Sequence, residues 1–244
     1  MRLVAGAIGV GLAACLLLGA PASPATPDRP KDSPGYVPVA PASALHAVLE
    51  SNLKLVRGWV NDGDFASAEQ AVQGLAALAW LHSFQGSDAA WRQKTAALRD
   101  GCATLSAAVQ RKDAAACDRA MRACSSLLAE LAKLRPAVPK DAVKDFRPSA
   151  ATKTWMLLME GAYVDGKTAT SPEELQRQAL GIAEVANVVS YLRTAPSWRK
   201  MAGDVRGAAL LAAETAGKKD MDAARKAFKG IYTRCEACHQ ENKP

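Results

Sequence analysis

Residues 221–239 read MDAARKAFKGIYTRCEACH. Met221, Ala224, Phe228, Ile231, Cys235 and Cys238 are spaced by 3, 4, 3, 4 and 3, the period of a helix that buries one stripe in a bundle. Asp220, directly after Lys219, is placed to cap that helix. The same stripe occurs 107 positions earlier, as Ala114, Cys117, Met121, Cys124, Leu128 and Leu131 behind Lys112-Asp113. The preceding segment gives Trp91, Thr95, Leu98, Cys102, Leu105 and Val109, matched by Trp198, Ala202, Val205, Ala209, Ala212 and Ala216.

The offset is constant over a long span. Shifting 75–132 by 107 lays it on 182–239 without a gap, so that Trp91-Arg92 meets Trp198-Arg199, Arg99 meets Arg206, Ser83 meets Ser190 and Phe84 meets Tyr191. Paired Trp-Arg and Lys-Asp matches at one offset indicate an internal duplication. The pattern predicts helices over 43–60, 65–85, 89–111 and 113–134, and again over 150–165, 171–193, 197–217 and 220–241. Ser171-Pro172-Glu173-Glu174 reads as a capping box with proline at the first helical position. Short connections make consecutive helices antiparallel neighbours. The expected fold is therefore all-α, with two tandem up-down-up-down four-helix bundles over 43–135 and 150–244, joined by a proline-bearing linker at 136–149.

Composition agrees with helices packed through small residues: 49% of the 244 residues are hydrophobic but only 5% aromatic. The net charge of +7 is spread along the chain with acids interleaved, and no basic block points to nucleic acid. One long apolar run, Leu3–Ala20, follows Arg2, and Ala20-Pro21-Ala22 supplies the small-x-small pattern of a signal peptide cleaved near residue 22. Two other readings stay open: a lipid anchor on Cys15 in Leu12-Ala13-Ala14-Cys15, and an uncleaved anchor. All three export the folded part, with the periplasm as the expected location. Residues 21–42 hold seven prolines and read as an extended, disordered spacer over 23–42.

The chemistry is carried by Cys235-Glu236-Ala237-Cys238-His239, the Cys-x-x-Cys-His signature of c-type haem attachment. Two cysteines three apart on one helical face can each form a thioether with one haem vinyl group, and the next histidine can turn its imidazole to the iron. The stripe puts both cysteines on the inward face, so the haem is expected inside the second bundle. A thioredoxin-like pair would follow a strand, and a zinc site would want about four ligands.

With that motif at the end of a fourth helix, residues 150–244 resemble the class II c-type cytochromes, cytochrome c′ and its low-spin relatives. Trp198, Lys219-Asp220, Ala227-Phe228 and Ile231 add to the resemblance. It implies one covalent haem c, with Cys235 and Cys238 as thioether residues and His239 as the proximal ligand. It also implies periplasmic electron transfer to a partner protein, or binding of a small gas such as nitric oxide. The first copy has Leu128, Leu131 and Ala132 at the motif positions and is expected to lack haem, serving as scaffold or docking surface. The first helix of the second copy is also shorter than the family's usual one.

A distal ligand should come from early in 150–165, where Met156 and Met159 occur and no histidine does. Counting turns puts His239 level with residues 147–152, more than a turn before Met156. An open distal side is therefore the default and Met156 the alternative ligand. Trp198 and Tyr191 are expected at the haem end, and Arg199 is a candidate propionate partner. Trp91 and Phe84 hold the same places in the first copy, so packing explains the aromatics equally well. Cys102, Cys117 and Cys124 face the first core, as buried thiols or with a Cys102–Cys124 or Cys102–Cys117 bridge. His46 and His82 read as lone residues at helix boundaries. The function expected is an exported mono-haem electron carrier. The alternatives are a gas-binding haem protein, with a possible homodimer, and a haem-free helical interaction module. No enzymatic constellation is visible.

Overall fold

The computed structural model describes residues 35–134, 136, 139, 141–144 and 146–241. The leader, Cys15 and most of the proline-rich segment lie outside them. Eight α-helices follow in order: α1 Ala42–Asn61, α2 Phe65–His82, α3 Ala89–Gln110, α4 Ala114–Leu131, α5 Thr152–Lys167, α6 Pro172–Val189, α7 Pro196–Gly217 and α8 Met221–Glu241. The chain is all-α; a single isolated bridge, Tyr36 with Val143, is the only β-pairing among the described residues. No helix among them is long and apolar enough to cross a membrane.

Local chemistry sets the helix starts. Asp64 accepts from the Ser67 amide at 3.0 Å, Asp113 from Ala116 at 2.9 Å and Asp220 from Ala223 at 3.0 Å. Each side chain satisfies an amide that has no partner within its helix. Ser171 accepts from Glu174 N at 3.2 Å, and the Glu174 carboxylate reaches back to Thr170 N at 2.9 Å. Before two of these caps the chain reverses through a left-handed residue, Lys112 at φ 54° and Lys219 at φ 62°. Each of these amides bonds a carbonyl of the preceding helix at 2.9 Å, Val109 or Ala216.

Within the first four helices and within the last four, consecutive helices pack against one another; α4 returns to α1, and α8 returns more sparsely to α5. The first four and last four helices then meet through α1 on α6 and α2 on α5. Glycine permits that contact. A Cβ on Gly74 of α2 would lie 3.0 Å from Leu158 of α5, and one on Gly181 of α6 would lie 2.3 Å from Val48 of α1. The two glycines are themselves 107 positions apart. Other contacts keep the same offset: Trp91 Nε1 donates to His82 O at 3.0 Å and Trp198 Nε1 to Val189 O at 2.8 Å. Ser83 Oγ donates to Trp80 O and Ser190 Oγ to Asn187 O, both at 2.6 Å.

The expected spacer ends earlier than residue 42. Residues 35–41 are extended, as their prolines require, but they are packed. Tyr36 is fully buried, pairs its backbone with Val143, and stacks on Phe146 with ring centres 3.9 Å apart. Phe84 and Tyr191 meet this pair edge-on from the two helical groups. Buried Glu184 of α6 fixes the segment: one oxygen accepts from Tyr36 Oη at 2.5 Å, the other from Val39 N and Ala40 N at 2.7 and 2.8 Å. Proline density excludes helix, but it leaves an extended strand free to be captured by a buried acceptor. The linker at 136–149 is likewise not a plain connection, since it supplies Val143 and the buried Phe146.

Candidate functional site

The stripe on α8 is buried only as far as Ile231. Ala224, Phe228 and Ile231 are in the core, whereas Cys235 and Cys238 are half-buried and His239 is exposed. Cys235 packs against the edge of the core, as the stripe predicts, without being sealed inside it. The last turns of α8 also border a cavity. The cavity holds about 440 Å³ and is lined from α8 by Ile231, Tyr232, Cys235 and His239. Met156, Met159, Tyr163 and Lys167 line it from α5.

Aromatic packing decides where the cavity begins. Phe228 stacks on Tyr163 at 5.1 Å with planes 3° apart, and Tyr163 stacks in turn on Tyr232 at 5.8 Å. A Cβ on Gly166 would lie 2.2 Å from the Phe228 ring, so that glycine lets α5 and α8 close there. Towards Met156 and Cys235 they part. Met156 and Met159 thus share a cavity with Cys235 and His239, and the level estimate that set Met156 more than a turn away is corrected. Counting residues along one helix ignores the axial shift between α5 and α8 that these rings impose.

Burial and the neighbouring Cys238 push the Cys235 thiol up to about 11. Burial raises the Cys238 thiol too, as does the Glu241 carboxylate, while the Arg193 guanidinium works against them. That cation lies over the Trp198 ring at 4.3 Å. Lys167 lies over Tyr163 at 5.8 Å. These cations and the Tyr163–Phe228–Tyr232 stack were not singled out from sequence. The i, i+3, i+7, i+11 spacing of Met156, Met159, Tyr163 and Lys167 was the signal available.

Trp198, Tyr191 and Arg199 are not among the described residues lining the cavity. Trp198 is buried against the end of α6, and Tyr191 donates to Gly35 O at 3.0 Å and faces the Tyr36–Phe146 pair. Both are packing residues.

In the first four helices two of the three counterparts of the motif are buried apolar side chains. Leu128 and Leu131 are each 1% exposed. Cys102, Cys117 and Cys124 are buried thiols without a disulfide. The Cys102 and Cys124 thiols share a hydrogen bond, which together with burial drives the Cys102 thiol strongly up. His46 and His82 are not lone: their ring centres are 6.0 Å apart, because the start of α1 lies beside the end of α2. No protein-family model, curated protein or solved structure matches the chain.

Proposed function

We propose that the chain is an exported mono-haem c-type cytochrome that passes single electrons to a partner protein. One observation carries the reading. The Cys-x-x-Cys-His motif ends α8, and its Cys235 and His239 line a cavity whose α5 wall presents two methionines. A stripe position left half-buried beside open space suits a group held by that stripe. The equivalent leucines are 1% exposed and carry no group that could form a thioether.

Cys235 and Cys238 would hold the haem through thioethers, and His239 would present its imidazole to the iron. Haem bound there supplies a metal that alternates between ferric and ferrous. The chain's own contribution is positional. The Tyr163–Phe228–Tyr232 stack makes a stiff floor, Met156, Met159, Ile182 and Ile231 give the cavity apolar contacts, and Lys167, Glu160 and Glu236 put charges of both signs along it. Met156 and Met159 in the same cavity favour a six-coordinate carrier over an open gas-binding site, since a thioether ligand raises the potential and blocks exogenous gas.

The eight helices are proposed to be two up-down-up-down bundles that arose by duplication, the haem-bearing copy being the second. The recurrence at one offset of caps, left-handed lysines, Trp hydrogen bonds and interface glycines supports this. The first copy would then be a haemless scaffold or docking surface. Export, through a leader ending near residue 22 or an anchor at Cys15, follows from the need to attach haem c outside the cytoplasm.

The test is an absorption spectrum of the full chain made with a haem c maturation system. Haem that resists acid-acetone extraction, and that is lost in Cys235→Ala/Cys238→Ala, is the expected result. A low-spin spectrum indifferent to carbon monoxide, turned carbon-monoxide-binding by Met156→Ala, is expected for the carrier. Carbon monoxide binding in the unaltered chain moves the function to gas binding. Absence of covalent haem overturns the proposal.

A further inference from the structure

The end of the first helical group holds a second cavity, of about 520 Å³, built from α1, α2, α4 and the extended segment ahead of α1. Among its lining residues are His46, His82, Trp91, Leu131 and Ala132. Leu131 and Ala132 stand where Cys238 and His239 stand in the last four helices, so this cavity occupies the corresponding end of its group. Its walls carry two imidazoles in place of a thiol pair.

His82 is the unexplained residue. It is 0% exposed, and neither ring nitrogen has a hydrogen-bond partner. Buried polar groups in folded proteins are almost always satisfied, and an orphan of this kind points to a missing ion or water. Trp91 meets the ring edge-on at 4.7 Å and fixes its plane without satisfying it. His46 faces it, and Glu50 takes His46 Nε2 at 3.5 Å, which leaves Nδ1 with its lone pair. A carboxylate on the remote nitrogen is the usual support for a metal-ligating histidine.

We propose that His46 and His82 bind one first-row transition-metal ion of the imidazole-preferring class, copper(II) above zinc(II). With metal–nitrogen bonds of about 2.0–2.1 Å, two imidazoles on one ion have ring centres about 4.5 Å apart for a right angle at the metal and about 6.4 Å apart for a straight one. The observed 6.0 Å lies in that range. No third His, Cys, Asp or Glu joins the pair among the described residues, so water or an exogenous ligand completes the coordination. Two neutral nitrogens with open positions give an affinity ranked by the Irving–Williams order. Burial holds His82 neutral, down to about 3, and lowers His46 as well, so both are in the ligating form at neutral pH.

The test is zinc(II) competition against a chromophoric chelator, with copper(II) electron paramagnetic resonance, on the full chain with its haem attached. A parallel sample carries Cys235→Ser/Cys238→Ser, so a failure of the haem reading does not touch this result. Expected are one ion per chain, two imidazole nitrogens in the copper spectrum, and binding weakened at least about tenfold in both His46→Gln and His82→Gln. Glu50→Gln is expected to weaken it about tenfold or less. The His46 side chain is less completely buried than His82, at 12% against 0% exposed, so its variant reports even where His82→Gln misfolds. No binding, binding unchanged in the folded histidine variants, or uptake of iron porphyrin in place of the bare ion overturns the proposal.

Discussion

The first and last four helices share wiring and differ at one end. Both turn through a left-handed lysine into an aspartate cap, and both fix a tryptophan on the end of their second helix. At the far end of the fourth helix the first group buries Leu128 and Leu131, while the last leaves Cys235 and Cys238 half-buried, Cys235 lining a cavity. At the start of the first helix, His46 in one group stands where Met156 stands in the other, each four positions in. Between the groups the same division holds: Tyr36 and Phe146 each precede their helix by six positions, but only Tyr36 has a buried acceptor, Glu184, where the first group has Ala77. The helical frames of the two groups correspond at these positions, and the residue types differ at their ends. A helical frame draws its stability from apolar stripes and caps, so end positions can change residue type without disturbing it.

Exchanging counterparts breaks the comparison where it is sharpest. Leu128→Ala is expected to cost about 2–5 kcal/mol, whereas Cys235→Ala in the haem-free chain is expected to cost less than about 1 kcal/mol. Equal costs in urea unfolding would mean that the α8 stripe is packed after all. Next in size is Glu184→Ala, which gives α6 the residue α2 has. It strands the Tyr36 hydroxyl and two buried amides, at about 1–3 kcal/mol for each group left unsatisfied. Adding Tyr36→Phe, as in Phe146, is expected to recover part of that loss.

Acid separates the halves more gently. Burial first, and the nearby His46 second, hold His82 down to about 3. The unfolded chain takes up this proton near pH 6.5 and the folded chain does not, so the unfolded state binds more protons between those values. Stability of the metal-free chain is full above about pH 6.5 and is lost as the pH falls towards about 3, by roughly 2 kcal/mol at pH 5. His82→Val, matching Val189, is expected to flatten that part of the pH profile. Smallest are Lys112→Gly and Lys219→Gly. Relief of the left-handed backbone is expected to stabilise each turn equally, by up to about 1 kcal/mol, read as a rise in Tm. Unequal shifts would mean that the two turns differ beyond their shared geometry.

Much of this was legible in the residues. The 3–4 spacing and the aspartate and serine caps placed all eight helices to within a few residues, because local propensity and one-sided burial act within a single helix. Cys235, Cys238 and His239 were legible because the motif is contiguous. The cavity wall was not. That Met156 and Cys235 line one cavity depends on how Gly166 and Phe228 set α5 against α8, and no spacing within one helix carries that register. Nor could the sequence pair His46 with His82, or Tyr36 with Glu184 across 148 positions. By itself the sequence determined helix positions, most of the buried faces and the contiguous Cys-x-x-Cys-His motif, all of which are set by neighbours along the chain. Only the tertiary structure decided which helix ends meet, where a stripe opens into a cavity and which buried polar group is left without a partner. Those depend on the mutual placement of helices, which is fixed by side-chain packing between elements distant in sequence.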